Sequence, residues 1–475
     1  MIFSTERTLV YVDEQVSEQV VQELWARELG VERFSEAVRA FEDATANGAR
    51  GIILVIPDGP PEEFLDAVLK SSRSALDNGL LVTFIAEQED NAARAIEWLS
   101  KNYALDVAGN DQRFRPNLYP RAAAKPAKLA QDYARHDPHR QDNGAHLEIT
   151  GRKPVLPQDA VLLRRAFSEF QKIQVERLQR RDSRGLPGVV YRVRVRDDAV
   201  AGPISFVVKT LPFSGADAEL GIYRNFVPKN TPFANVPPLI NDRCVTTSSR
   251  SCVVTQFVDR AILFEAYIET HSPALAIASL FDGPLRCWRS RIGRRNASLG
   301  DLALQIVSDK PAVYEKVYKR ALALQSVGTP ADLIARIRAT PHMDVSWCFS
   351  HGDLHLRNIF VKEGSSDVVL IDLNRAGDHP ASRDPAGLDA ALAFSGVTGA
   401  ARLHATIARL YRPPLLEPQP LCRPEPARAL AIEQLRRQVV GSTTEAEYRV
   451  MVAAHCLYWA RKGVVDAYIV ADELV

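Results

Sequence analysis

"HGDLHLRNIFV", His351 to Val361, is the stretch on which the reading of this 475-residue chain turns. A carboxylate, Asp353, precedes an amide, Asn358, and the amide opens an apolar run. "NIFV" reads as a strand, the polar "KEGSSD" as a turn and "VVLIDL" as the returning strand. Opposed positions of an antiparallel hairpin sum to a constant, so a tip at Ser365 sets Asn358 against Asp372. Directly opposed side chains have Cβ atoms about 4.5–5.5 Å apart. An amide oxygen and a carboxylate at that separation can share a hard cation, and Mg²⁺ takes oxygen ligands of this kind. Asp353, in the loop just before the hairpin, falls within reach of whatever such a metal binds. HGD alone is a weak signal; with the amide at this interval and "LID" one hairpin later it is a strong one. His351 and His355 are expected to brace the loop by hydrogen bonds.

A site that handles nucleotide phosphates also needs a fixed cation. "ISFVVKTL" ends its apolar run at Lys209, and Glu219 follows on what should be the next helix, a candidate partner to hold the lysine extended. Upstream, Gly185 and Gly188 in "DSRGLPGVVYRV" lie between two strand-like runs, where glycine lets backbone N–H groups approach phosphate oxygens. Two glycines between strands are by themselves only a hairpin signal.

The organisation outside these motifs falls into three parts. Residues 1–110 alternate strand and helix patterns. "GIILVIP" and "LLVTFIA" are continuous apolar runs, the mark of strands buried on both faces. Helix patterns separate them, one opening at Ser35 as N-cap and closing at Gly48, and "EDNAARAIEWLSKN" and a strand "YALDVA" complete the part. Repeated βα units imply a three-layer parallel sheet covered by helices. Residues 111–150, rich in Pro, Arg, Lys and Asp, read as a linker with one short helix near Lys128–Arg135. From 151 a helix leads into strands and a small antiparallel sheet, up to about 258. The remainder, 259–475, reads as helical apart from the hairpin after "HGD". That is an α+β bilobal layout. The arginine-rich "RCWRSRIGRR" (Arg286–Arg295) reads as one solvated helix face.

These motifs together resemble the aminoglycoside/choline phosphotransferase branch of the protein-kinase-like superfamily. The resemblance rests on "HGDLHLRN…VVLIDL", "VVK" with its helical glutamate, and "RDPAGL", and it covers about Val155 to the C-terminus. It implies that Asp353 accepts the proton of the attacking hydroxyl and that Asn358 and Asp372 hold Mg²⁺. It implies that Lys209 contacts the ATP phosphates, with Glu219 as its ion-pair partner. Asp384, in "RDPAGL", would brace the catalytic loop, and "TQFV", with Gln256 and Val258, would be the hinge that meets adenine. Two departures stand out: Arg357 occupies a position that is often glycine in the family, and Leu373-Asn374 follow the metal aspartate where an aromatic is more usual. The chain also resembles kinase-like domains of bacterial conflict systems, the ternary-complex-associated group. In the first part, Asp13, Glu14 and Asp58 at strand ends resemble a receiver domain, or another flavodoxin-like module without phosphotransfer.

Composition narrows the classes further. The formal net charge of +1 gives no global case for nucleic acid or membrane. The N-terminus lacks the basic-then-apolar pattern of a signal peptide, no apolar run is long enough to span a bilayer, and no cysteine pair is spaced for zinc. The expectation is a cytoplasmic phosphotransferase that uses ATP and Mg²⁺ on a hydroxyl-bearing small molecule or protein. The N-terminal part would meet a protein partner or regulate. A pseudokinase scaffold and a kinase-fold nucleotidyltransferase are the alternatives.

Overall fold

The computed structural model describes residues 9–47, 49–57, 60–86, 117–136, 145–178, 188–196, 202–247, 250–290, 292–396, 405–417 and 426–475. Gly48, Asp58, Gly185, "EDNAARAIEWLSKN" and "YALDVA" lie outside the described residues. The chain divides into two compact units, one of Met1–Ala218 with Leu239–Phe257, the other of Glu219–Pro238 with Val258–Val475.

The first unit holds two sheets. In the N-terminal one, β1 (Leu9–Asp13), β2 (Gly30–Phe34), β3 (Gly51–Ile56), β4 (Leu81–Ala86) and β5 (Asn117–Pro120) run in the order β2-β1-β3-β4-β5. All pairings are parallel, and the order is that of flavodoxin-like doubly wound folds. Every residue of β3 and β4 is buried, as their unbroken apolar runs require. Alternation along β3 sorts those residues to two faces. Ile52, Leu54 and Ile56 join a core with Phe41 of α2 (Ala37–Ala46) and Leu76 of α3 (Glu62–Asp77). Ile53 and Val55 join the core of the other face, with Leu24 of α1 (Glu18–Trp25) and Leu129 and Tyr133 of α4 (Pro126–Arg135).

Two expectations need correction here. Residues 117–136 are no tether: β5 pairs with β4, and α4 inserts Tyr133, whose hydroxyl donates to Ile52 O at 2.6 Å. Burial pushes the Tyr133 phenol far up. The second helix starts at Ala37 with Glu36 at its N-cap, so Ser35 is not the cap. Asp13 does end β1, but its carboxylate is engaged by backbone, accepting N–H bonds from Gln15 at 2.9 Å and Val55 at 3.2 Å.

The second sheet runs β10-β9-β8-β7-β6, from β6 (His146–Ile149), β7 (Lys172–Arg177), β8 (Val189–Arg196), β9 (Pro203–Pro212) and β10 (Arg250–Gln256). Only the β6–β7 pair is parallel. Helix α5 (Pro157–Ala166) lays Leu162, Leu163 and Ala166 on it. A fully buried carboxylate, Asp159, accepts from Arg250 Nε at 2.9 Å, Tyr191 at 2.8 Å and Thr210 at 3.0 Å. A buried charge held by three donors fixes the helix to β8, β9 and β10.

The second unit is not helical throughout. Antiparallel strands β11 (Ala261–Leu263), β14 (Ile359–Lys362) and β15 (Val368–Leu370) form one sheet, in the order β11-β14-β15. A second sheet, β12-β13-β16, joins Gly293–Ser298, His342–Ser350 and Gly377–Pro380. The arginine-rich run therefore splits: Arg286 and Arg289 lie on a helix, and Arg294 and Arg295 on exposed strand β12. The core helix is α9 (Arg383–Phe394), buried at every residue from Asp384 to Phe394. It belongs to the same unit as α6 (Phe264–Thr270), α7 (Pro273–Asp282), α8 (Pro284–Arg289), α10 (Ala427–Val439) and α11 (Glu445–Arg461). Among the described residues no helix is long and apolar enough to cross a membrane.

Candidate active site

The loop between β13 and β14 is built from its backbone outward. β13 delivers the chain at Ser350, and the next two amides meet a single carboxylate. Asp384, at the start of α9, accepts from His351 N–H at 2.6 Å and Gly352 N–H at 2.9 Å. The His351 ring, fully buried, meets Ile371 O through Nε2 at 2.8 Å, tying the loop to the chain that leaves β15. Gly352 sits at φ +76°, where a Cβ would strike the carbonyl of Arg375 and close on the His379 ring. Glycine is needed there on both counts, backbone and space.

The rest of the loop closes on itself. Asn358 N–H donates to His355 O at 2.9 Å, and Arg357 N–H donates to His355 Nδ1 at 3.2 Å. The Asn358 side chain is buried and gives its Nδ2–H to Asp353 O at 2.9 Å. That bond uses the amide's Nδ2 and leaves Oδ1 as its acceptor atom. Asp353 itself is half-buried.

The hairpin register differs from expectation by one residue. Ile359 pairs with Leu370 and Val361 with Val368, and Ile371 N–H donates to Asn358 O at 3.0 Å. Asn358 therefore stands opposite Ile371, and Asp372 is the residue after. A single-residue tip needs an odd loop. Here Lys362 N–H closes on Asp367 O at 2.8 Å, leaving the even loop 363–366 with Gly364 at φ +84° and Ser366 at φ +59°. In a regular strand such a slip sends the next side chain to the other face. Asp372 is outside that alternation, because its backbone is left-handed at φ +63°. Non-glycine residues held there are strained and gather at functional sites.

A second group of charges surrounds the loop. Glu265, in the first turn of α6, takes Arg357 Nε at 2.9 Å and Ser395 Oγ at 2.7 Å. Burial alone would raise the Glu265 carboxyl, but the Arg357 and Ser395 bonds and the Arg357 charge outweigh it and hold the pKa low. His379 is pushed down by burial and by the Arg383 charge. Sequence reasoning passed over Glu265 and Ser395; the available signal was an arginine where glycine is common.

The remaining candidates stand on other elements. Lys209 is buried on β9, between Val253 of β10 and Val190 of β8. Glu219 is buried on the helix Phe213–Asn225 and belongs to the second unit. Gly188 immediately precedes β8, Gln256 ends β10 with its side chain exposed, and Val258 begins the second unit's main segment. Among the described residues no three or more His, Cys, Asp or Glu side chains group to hold a metal. The expected donors, the Asn358 amide and the Asp372 carboxylate, are oxygen ligands of the kind a hard cation takes.

Several solved structures are similar to this chain. An amicoumacin kinase is 11% identical over 62% of this chain and 88% of its own, with a TM-score of 0.36. A glucosamine kinase is 14% identical over 67% and 82%, with a TM-score of 0.35. A macrolide 2'-phosphotransferase from Brachybacterium faecium is 12% identical over 65% and 97%, with a TM-score of 0.34. Likeness at this level decides neither substrate nor mechanism. No curated protein matches the chain. Residues 293–417 do match the phosphotransferase enzyme family, a span from β12 past α9 that contains Asp353, Asn358, Asp372 and Asp384.

Proposed function

We propose that the protein is a cytoplasmic ATP- and Mg²⁺-dependent phosphotransferase that moves the γ-phosphoryl group to a hydroxyl of a small molecule or protein. The observation that carries the reading is the loop itself. Asp384 fixes its first two amides, and the Asn358 side chain bonds the Asp353 carbonyl, so the Asp353 carboxylate and the Asn358 amide oxygen are set by one hydrogen-bonded turn.

In the reaction, the acceptor oxygen bonds to the γ-phosphorus while the bond from that phosphorus to the β–γ bridging oxygen breaks. The hydroxyl proton passes to the Asp353 carboxylate, and ADP leaves. Asp353 acts mainly by orienting the hydroxyl. Asn358 Oδ1 and the Asp372 carboxylate would hold Mg²⁺, which supplies charge neutralisation at the phosphates when bound. Lys209 would position the α- and β-phosphates. Gly188 and Gly185 would offer backbone N–H groups to them, and the segment with Gln256 and Val258 would meet adenine. The N-terminal sheet would regulate the enzyme or recruit a protein partner.

The test is incubation of the protein with ATP, Mg²⁺ and cell extract, with label placed on either the γ- or the α-phosphate. Transfer of γ-label alone supports the reading. Transfer of α-label assigns a nucleotidyltransferase, and absence of Mg·ATP binding by calorimetry leaves a scaffold.

A further inference from the structure

Resting on the phosphotransferase reading, we propose that Arg357 is a positioning residue: through Glu265 and Ser395 it ties the far end of the Asp353–Asn358 loop to the C-terminal end of α9, whose N-terminal end already holds the near end. The near anchor is Asp384 on the amides of His351 and Gly352. The far anchor is a chain of two bonds. Ser395, the residue that caps α9, donates Oγ–H to Glu265 Oε1 at 2.7 Å, and Arg357 Nε donates to Glu265 Oε2 at 2.9 Å.

A helix of this length spans about 18 Å, and α9 is enclosed by the core along that span. It is a rigid strut with the loop attached near both ends. Glu265 is also delivered independently, because α6 follows β11, and Leu263 pairs with Phe360 two residues past Asn358. Arg357 is the neighbour of Asn358, and both place their backbone N–H groups on His355. Where Arg357 is held, the turn that aims Asn358 and Asp353 is held.

The pair is no mere stability element. Side-chain exposure is 37% for Arg357 and 25% for Glu265, and ion pairs that wet contribute little to folding. Its effect falls on where the loop sits. A glycine at 357 leaves the near anchor intact and removes the far one.

The experiment uses the full chain as Arg357→Gly, Arg357→Lys and Glu265→Gln. Hydrogen exchange is followed in peptides spanning 351–360, together with the Mg²⁺ dependence of ATP hydrolysis with water as acceptor. Arg357→Gly and Glu265→Gln are expected to speed exchange there several-fold, leave the thermal midpoint in place and raise the half-saturating Mg²⁺ roughly tenfold. Arg357→Lys recovers part of both effects. Arg336→Gln, which breaks the Arg336–Asp472 pair between two other helices, changes neither. Unchanged exchange in both Arg357→Gly and Glu265→Gln overturns the proposal. If the wild type turns over no Mg·ATP, the functional reading fails, and exchange alone still decides the anchor. Glu265→Gln carries the test should Arg357→Gly fail to fold.

Discussion

Asp384 and Gly352 are joined by a 2.9 Å hydrogen bond in which a buried carboxylate takes the amide of a residue that must be glycine. The same carboxylate takes His351 N–H at 2.6 Å. Asp384→Ala leaves two buried N–H groups unmet, at about 1–3 kcal/mol each. Urea unfolding of the second unit is expected to show a loss of about 2–6 kcal/mol, with Asp384→Asn intermediate. A loss below about 0.5 kcal/mol, the scale of a neutral surface change, would remove Asp384 from its bracing role.

On the proposed metal role, Asp372 would set stability against function. Its left-handed backbone, φ +63°, costs a non-glycine residue about 1–2 kcal/mol. Asp372→Gly is therefore expected to raise the denaturation midpoint while abolishing Mg²⁺-dependent ATP binding by calorimetry. Asp372→Ala loses the same binding without the gain in stability. An Asp372→Gly protein that binds Mg·ATP normally would take Asp372 out of the metal site.

How much of this was legible in the chain depends on whether apolar pattern or tertiary pairing makes the element. β3 and β4 announce themselves as unbroken apolar runs, β8 alternates, and β9 carries an apolar run up to Lys209, so all four are readable. β2, "GVERF", is half-exposed with two charged side chains, and β12, "GRRNAS", is mostly exposed, so neither carries a hydrophobic period. β5, "NLYP", is four residues in a proline-rich stretch and is a strand because β4 offers it an edge. The motif residues of the loop were visible from spacing. The register was not, since it turns on whether the hairpin loop is even or odd. Arg357 and Glu265 lie 92 positions apart, and no local pattern links them.

The second unit also contains a buried ion pair whose disruption should be severe. Asp389 is fully buried and takes Arg436 Nε at 2.7 Å, Tyr448 at 2.8 Å and Tyr411 at 2.5 Å. Removing one partner strands a buried charge, at about 3–5 kcal/mol. Asp389→Ala is expected to cost that much by urea denaturation or to yield insoluble protein. Arg436→Met, which removes the charge but fills the space, leaves the two tyrosines as donors to Asp389 and costs less. The reverse order of severity would show that Arg436 packs rather than pairs.

Glu447 gives the pH dependence its sign. Burial raises its carboxyl pKa above the usual value, against the pull of hydrogen bonds led by Ser382, whose Oγ–H reaches Glu447 Oε1 at 2.5 Å. A carboxyl raised on folding stabilises fully below its unfolded pKa, and that contribution is lost as pH rises through the folded value. The penalty on the charged form is thus absent in acid and complete at neutral pH. Glu447→Gln keeps the Ser382 bond and cannot ionise. Its stability relative to wild type, measured by urea midpoints from about pH 4 to pH 8, is expected to improve steadily as pH rises. A difference that shrinks with rising pH would mean that Glu447 is held ionised in the folded protein by a stronger partner than Ser382.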